Sequence, residues 1–190
     1  MAKFLKIREP ALEPLLRKIR FEKVLHHIVS NSVVVDIGCG HTPHLLNRLQ
    51  RYIKTGIGFD PLVASKDRGK IKLLSKLIAR KIPIKNNFAN HVTLIAVLEH
   101  LENPDSILLE SYRILKPGGS VIVTTPTPMN KPLLEFLSFR LGIVSTREIA
   151  EHKRYYWKKG LETAIKKAGF RKIRHEYFEL FLNNFLVAYK

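Results

Sequence analysis

What this sequence lacks narrows it first. It holds one cysteine, Cys39, in 190 residues, so intramolecular disulfides and thiolate metal clusters are excluded. The eight histidines are scattered, and none pairs with a carboxylate at metal-ligand spacing, so no metal site is expected. No run approaches the ~20 apolar residues that span a bilayer. The N-terminal residues alternate Lys, Arg, Glu and Leu without the continuous apolar stretch of a secretory signal, which gives a cytoplasmic expectation. Acids are scarce: 16 Asp and Glu stand against 33 Lys and Arg, a formal charge of +17. That excess fits a nucleic-acid partner, peripheral contact with an anionic membrane, or simply a lysine-rich background. Repeats and low-complexity tracts are missing too, and the length suits one domain with a sizeable core.

What is present is organised around Val33-Val34-Val35-Asp36-Ile37-Gly38-Cys39-Gly40-His41-Thr42-Pro43. Its valines suit a strand buried on both faces. Gly38 and Gly40 allow a tight turn and let backbone approach a ligand without an intervening Cβ. Pro43 fits the first turn of a helix, which His44 to Leu49 supplies. Strand, glycine turn and helix form the opening of a nucleotide-binding βαβ unit. Alone, this is an ordinary strand-to-helix turn. A second short strand, Gly56-Ile57-Gly58-Phe59-Asp60, makes it specific. It ends in an acid about twenty residues past the first glycine, where a carboxylate accepts hydrogen bonds from ribose hydroxyls.

The third glycine of the dinucleotide fingerprint is missing near His41 to Pro43, and no Gly-Lys-Ser/Thr follows. A ligand with a ribose but no pyrophosphate fits better, and S-adenosylmethionine is such a ligand. The chain resembles the class I S-adenosylmethionine-dependent methyltransferases, in the branch called type 11. The matching pieces are Val35 to Gly40, Gly58-Phe59-Asp60, Ala96-Val97-Leu98-Glu99-His100-Leu101, Arg113 to Gly119, and Val121 to Pro126. The resemblance implies an α/β, Rossmann-like three-layer sandwich. Its sheet is mostly parallel and seven-stranded, with an antiparallel C-terminal hairpin. It implies a cofactor, S-adenosyl-L-methionine, held by Asp36, Gly38, Cys39, Gly40, Asp60, Pro61, Ile82 and Val97. Ile82-Pro83-Ile84 is similar to the family's turn beside the adenine ring. The acid many relatives carry a few residues earlier is replaced here by Ile78 to Lys81.

The expected organisation is a single methyltransferase domain over residues 1–190. Residues 1–30 hold an N-terminal cap helix, with apolar positions from Leu12 to Ile28 at helical spacing and Arg17, Lys18, Arg20 and Lys23 between them. That helix either covers the cofactor cleft or rests its basic face on a membrane. Residues 66–81 read as a second basic helix after the second strand. A strand is expected over 91–97, a helix from Pro104 capped by the glycines of Lys116 to Gly119, and a strand over 120–125. Residues 129–157 form an insert over the acceptor site. A last helix ends at Gly169, and two strands, 170–178 and 183–189, close the chain.

Methyl transfer is an in-line displacement, so the protein mainly holds donor and acceptor in line and excludes water. No nucleophile is required, and Cys39 is read as a packing residue. His152, in His152-Lys153-Arg154-Tyr155-Tyr156, and His100 are the candidate proton acceptors, set against structural roles in a turn or helix start. The expected activity is transfer to a small-molecule or lipid-linked-sugar (glycolipid) acceptor. The alternatives are an RNA or nucleic-acid methyltransferase, prompted by the charge, and a catalytically inactive cofactor-binding module of the same fold.

Overall fold

The computed structural model describes residues 13–130 and 153–190. The twelve elements in chain order are α1 (Glu13–Leu25), β1 (Val33–Ile37), α2 (His44–Leu49), β2 (Thr55–Asp60), β3 (Lys66–Arg68), β4 (Ile71–Ser75), β5 (Ala89–Ile95), α3 (Pro104–Ile114), β6 (Leu115–Pro126), α4 (Lys158–Lys167), β7 (Arg171–Phe178) and β8 (Asn183–Tyr189). All strands join one eight-stranded sheet in the order β3-β4-β2-β1-β5-β6-β8-β7. The run from β4 to β6 is parallel, and β8 pairs antiparallel with both β6 and β7.

Three layers follow from the period-two alternation of the central strands. On β1, Val35 and Ile37 pack toward α3 and α4, among Ile107, Leu108, Leu161 and Ile165. Val34 faces the other way, toward α1 and α2, among Phe21, Val24, Leu45 and Leu46. All five β1 residues are buried, as a doubly covered central strand requires. Asn90, on β5, ties down the start of β1: its Oδ1 accepts from Val33 N at 3.0 Å. α1 lies over this second face and is joined to its surroundings by the Lys23–Glu176 and Arg48–Glu22 ion pairs. The portion of the expected cap helix before residue 13 lies outside the described residues.

Three expectations need correction. Residues 66–81 are not a helix. The chain leaves β2, descends as β3, turns at Gly69 (φ +62°) and returns as β4 between β2 and β3. Leu73, Leu74, Leu77 and Ile78 mimic a helical stripe, but Ile71 and Leu73 are buried on one side of an exposed Lys72, which is strand periodicity. This extra edge strand makes the sheet eight-stranded rather than seven. The glycines of Lys116 to Gly119 do not cap α3 either. The helix ends at Leu115 in extended conformation, and Gly118 (φ +76°) belongs to a bulge where β6 changes register against β5. Gly169, by contrast, takes its left-handed position after α4 at φ +101°.

Candidate functional site

The glycine turn and the acid of β2 meet at the C-terminal ends of the parallel strands, where open α/β sheets bind ligands. Gly38 N and Cys39 N donate to Phe59 O at 2.7 and 3.2 Å, folding the turn over the end of β2. Gly40 N donates to Asp60 Oδ2 at 3.0 Å, and Leu62 N donates to Asp60 Oδ1 at 2.7 Å. The carboxylate is thus clamped by two backbone N–H groups, yet it keeps accepting capacity on both oxygens. Pro61 follows it, exposed, with its carbonyl accepting from Ser75 Oγ at 3.2 Å.

Both glycines of the turn adopt left-handed backbone, at φ +74° for Gly38 and +76° for Gly40, where a side chain would be strained. At Gly38 there is also no room. Val97 occupies the place a Cβ would take, with Cγ1 3.0 Å and Cβ 3.2 Å from that point. Val97 is aimed there by the residue before it. Ala96 sits at φ +54° and its N–H bonds to both the carbonyl and the hydroxyl of Thr124 at 3.0 Å. Cys39 is buried against Gly58, and its Sγ lies 2.8 Å from where a Cβ on Gly58 would stand. Burial, with Asp36 and Asp60 nearby, pushes the Cys39 thiol up, which keeps it protonated and unreactive.

Asp36 does not open into the turn. It is 3% exposed, and its Oδ1 accepts from Thr93 Oγ1 at 2.6 Å, across the β1–β5 register. Burial pushes its carboxyl up to about 7; Asp60 adds to the rise and the Thr93 hydrogen bond opposes it. An acid that titrates near neutrality therefore lies directly beneath the turn.

Ile82 is buried in a segment fixed from α3. Ile82 N donates to Glu110 Oε2 at 2.9 Å. Arg113 donates to the carbonyls of Ile82 and Ile84 at 2.9 and 2.8 Å and to Asn86 Oδ1 at 2.7 Å. Glu110 and Arg113 are themselves paired at 2.7 Å, and that guanidinium holds the Glu110 carboxyl below its ordinary value. Sequence reading gave neither residue a part in the site. An acid and an arginine three apart on a helix form a recognisable pair, but their target, 28 to 31 residues upstream, is visible only in the fold.

His100 lies in the turn leaving β5, where its N–H bonds to Val97 O at 3.0 Å. His152 and most of the 129–157 insert lie outside the described residues. The residue between Val97 and His100 that carries the most unusual chemistry is Glu99. It is 1% exposed; its Oε2 and the neighbouring Thr125 Oγ1 are buried without a well-formed hydrogen-bond partner among the described residues. Burial raises the Glu99 carboxyl, against the pull of His100, Thr125 and Arg20. Its backbone carbonyl accepts from Lys153 N at 3.0 Å, where the insert rejoins the described structure. Sequence reading passed from the motif straight to His100. A lone glutamate gives no signal of burial.

The donor set fits S-adenosylmethionine. A Cβ-free turn and a carboxylate with free lone pairs beside it stand at the C-terminal ends of the parallel strands, and the apolar Ile82 is pinned from α3. Among the described residues no group of three or more His, Cys, Asp or Glu could hold a metal ion, and no helix is long and apolar enough to cross a membrane.

Comparison with known proteins agrees with this arrangement. The ubiquinone/menaquinone biosynthesis C-methyltransferase UbiE of Neisseria meningitidis serogroup B is 35% identical over 143 residues, which is 68% of this chain and 58% of that protein. The chain therefore spans less than two thirds of the length of that relative. Among solved structures, a methyltransferase from Haloferax volcanii in complex with the Trm112 methyltransferase activator superposes with a TM-score of 0.68 at 16% identity. The match covers 95% of this chain and 98% of that one. A SAM-dependent methyltransferase from Archaeoglobus fulgidus gives 0.67 at 17% identity, over 93% and 94% of the two chains. A family model described as a methyltransferase domain matches residues 6–175, nearly the whole of this chain, and the chain belongs to the class I S-adenosylmethionine-dependent methyltransferases.

Proposed function

We propose that this protein transfers a methyl group from S-adenosylmethionine to a small-molecule acceptor. The observation that carries the proposal is the 3.0 Å bond between Gly40 N and Asp60. It brings the glycine turn and the ribose-type acid into one site. Asp60 accepts from the ribose hydroxyls, the open backbone at Gly40 leaves space for the amino-acid tail, Gly38 lets Val97 close against the turn, and Ile82 and Val97 supply apolar walls. Cys39 packs the turn from within, Pro61 leads the chain away from Asp60, and Asp36 supports the turn from beneath. S-adenosylmethionine, once bound, supplies a methyl carbon already activated by its sulfonium. What the chain adds is alignment and exclusion of water.

The name of the Neisseria relative supports a quinone-type compound, methylated on carbon, as the first candidate acceptor. A lipid-linked sugar is the second candidate. Residues 129–157 would roof the acceptor, in a single domain over residues 1–190. In this reading the buried polar atoms of Glu99 and Thr125, which lack a well-formed partner among the described residues, are offered to an acceptor oxygen, and a satisfied partner there recovers what the burial costs. His100 and His152 are retained as proton acceptors within the same proposal. The charge of +17 is the one observation favouring an RNA acceptor instead.

The test is calorimetric. Replacing Asp60 by Ala removes charge-assisted hydrogen bonds of about 1.5–3 kcal/mol, so affinity for S-adenosylmethionine should fall on the order of ten- to a hundredfold. An unchanged dissociation constant refutes the site. Labelled methyl transfer to a quinol, a lipid-linked sugar and RNA then ranks the acceptors. Glu99→Ala should abolish transfer while leaving cofactor affinity intact.

A further inference from the structure

The β3–β4 edge carries a charge distribution that the methyl-transfer reading does not use. Between residues 66 and 81 stand seven Lys and Arg and a single acid, Asp67. All seven cations are exposed, and none forms an ion pair among the described residues. Some cations elsewhere are matched: Lys23 with Glu176, Arg48 with Glu22, Arg113 with Glu110, Lys167 with Asp105. The basic character of α1 is partly neutralised in place, whereas along residues 66–81 only Asp67 and, toward Lys81, Glu110 oppose it.

Two large apolar side chains stand at the tip of this edge. Asp60 and Ser75 are register partners at the ends of β2 and β4. Leu62 and Leu77 lie two residues beyond each, 70% and 67% exposed. The two chain segments are tied together by Lys76 N bonding to Asp60 O at 3.1 Å and Ser75 Oγ to Pro61 O at 3.2 Å. Charge on an edge strand commonly serves to block sheet-to-sheet pairing, and this accounts for Lys66 and Arg68 on β3. It does not account for Lys76, Arg80 and Lys81, which lie past the ladder, or for leucines that make the same edge less soluble.

We infer that the β3–β4 edge, led by Leu62 and Leu77, docks on an anionic lipid bilayer. Apolar side chains that enter the interface and neighbouring cations that meet acidic headgroups are the two components of peripheral membrane binding, and here Lys66 and Lys76 lie at the leucine end of the ladder. Both leucines follow the strand ends that carry Asp60, so docking turns the cofactor end of the sheet toward the lipid. This goes beyond the proposed function. If the acceptor is a lipid-soluble quinone or a lipid-linked sugar, the same contact places the cleft where that acceptor resides.

Sedimentation of the full chain with phosphatidylcholine vesicles, with and without phosphatidylglycerol, tests the inference. Binding should require the anionic lipid and weaken steeply with salt. The triple variant Lys66→Glu, Lys72→Glu, Lys76→Glu should lose about a hundredfold or more, since each surface cation contributes roughly fivefold. Leu77→Ser should lose up to about tenfold on the same vesicles. Equal binding to both vesicle types, or full binding by the triple variant, overturns the inference. A single-stranded RNA probe separates the rival partner: retention of RNA without vesicle binding, lost in the triple variant and unaffected by Leu77→Ser, also overturns it. Affinity for S-adenosylmethionine, measured on the same proteins, should not change, so failure here is distinct from failure of the methyltransferase reading.

Discussion

Gly38→Ala is the substitution for which the geometry specifies the most. Two separate penalties meet at this position. At φ +74° an alanine costs about 1–2 kcal/mol relative to glycine, whatever the surroundings. The new Cβ would also stand 3.0 Å from Val97 Cγ1, with Cγ2 closer still, where carbon atoms normally keep roughly 3.5–4.0 Å. Val97 cannot retreat freely, because both acceptors on Thr124 hold Ala96 N in place. Overpacking of this kind adds about 1–3 kcal/mol. The whole loss is then about 2–5 kcal/mol in urea unfolding, with an unchanged m-value. Gly40→Ala is the internal control. Its φ is +76°, but the nearest atom to a Cβ there is Thr42 O at 3.7 Å, so only the backbone penalty of about 1–2 kcal/mol applies. Val97→Ala alone should cost about 1 kcal/mol for its half-buried methyls. Combined with Gly38→Ala, it removes the two methyl collisions, leaving the Cβ of residue 97 at 3.2 Å, but not the strain. The double-mutant cycle should therefore show favourable coupling of about 1–3 kcal/mol. Additivity within about 0.5 kcal/mol would refute the claim that Val97 is what closes this position.

Other expectations follow from the same site and its supports. Asp36 stands at about 7 beneath the turn, so cationic S-adenosylmethionine arriving there should draw the pKa down and release roughly half a proton at neutral pH. Calorimetry in buffers of different ionisation enthalpy reads this; equal release by the uncharged product S-adenosylhomocysteine, or undiminished release in Asp36→Asn, would contradict it. His91 is buried, accepts from Val29 N at Nε2 and meets Ser120 Oγ through Nδ1, and burial followed by repulsion from His27 lowers it to about 4. The folded state keeps this ring neutral while the unfolded chain protonates near 6.5, so its stabilisation is complete above that pH. On the order of 3 kcal/mol is lost as pH falls toward about 4. Unfolding of His91→Gln should be less pH-dependent over that window; an identical profile would exclude His91 as the cause. Arg113→Met frees the carbonyls of Ile82 and Ile84 and should weaken cofactor binding several-fold, whereas Arg171→Met on the exposed start of β7 should not.

The parts of this fold that sequence made legible share one property: their signal is local. Three consecutive valines, a glycine turn and an acid on the next strand announce β1, the turn and β2, because burial on both faces and positive φ each demand particular residue types. Asn183 to Tyr189 is legible for the same reason. Residues 66–81 are not, since Leu73 and Leu77, four apart, fit either period, and the choice of strand rests on pairing with β2, a long-range term. The same limit applies to Asp36. Its acidity is visible in sequence, but its bond to Thr93 and its burial are consequences of the β1–β5 register. Glu99 reads as one charge among many until the sheet encloses it, and Glu110 and Arg113 gain a role only when α3 is laid beside Ile82.

The place of β8 has a consequence for biogenesis. Among the described residues it is the last strand in chain order, yet it lies inside the sheet, and β7 pairs there only with β8. While the ribosome is still making residues 183–189, the β6 edge has no partner and β7 has nowhere to attach. Closing this side therefore requires contacts of long sequence separation, which form slowly. Until they form, a nascent chain displays the apolar β6 ladder as an open template, and protection of that ladder by a chaperone becomes part of what the topology demands.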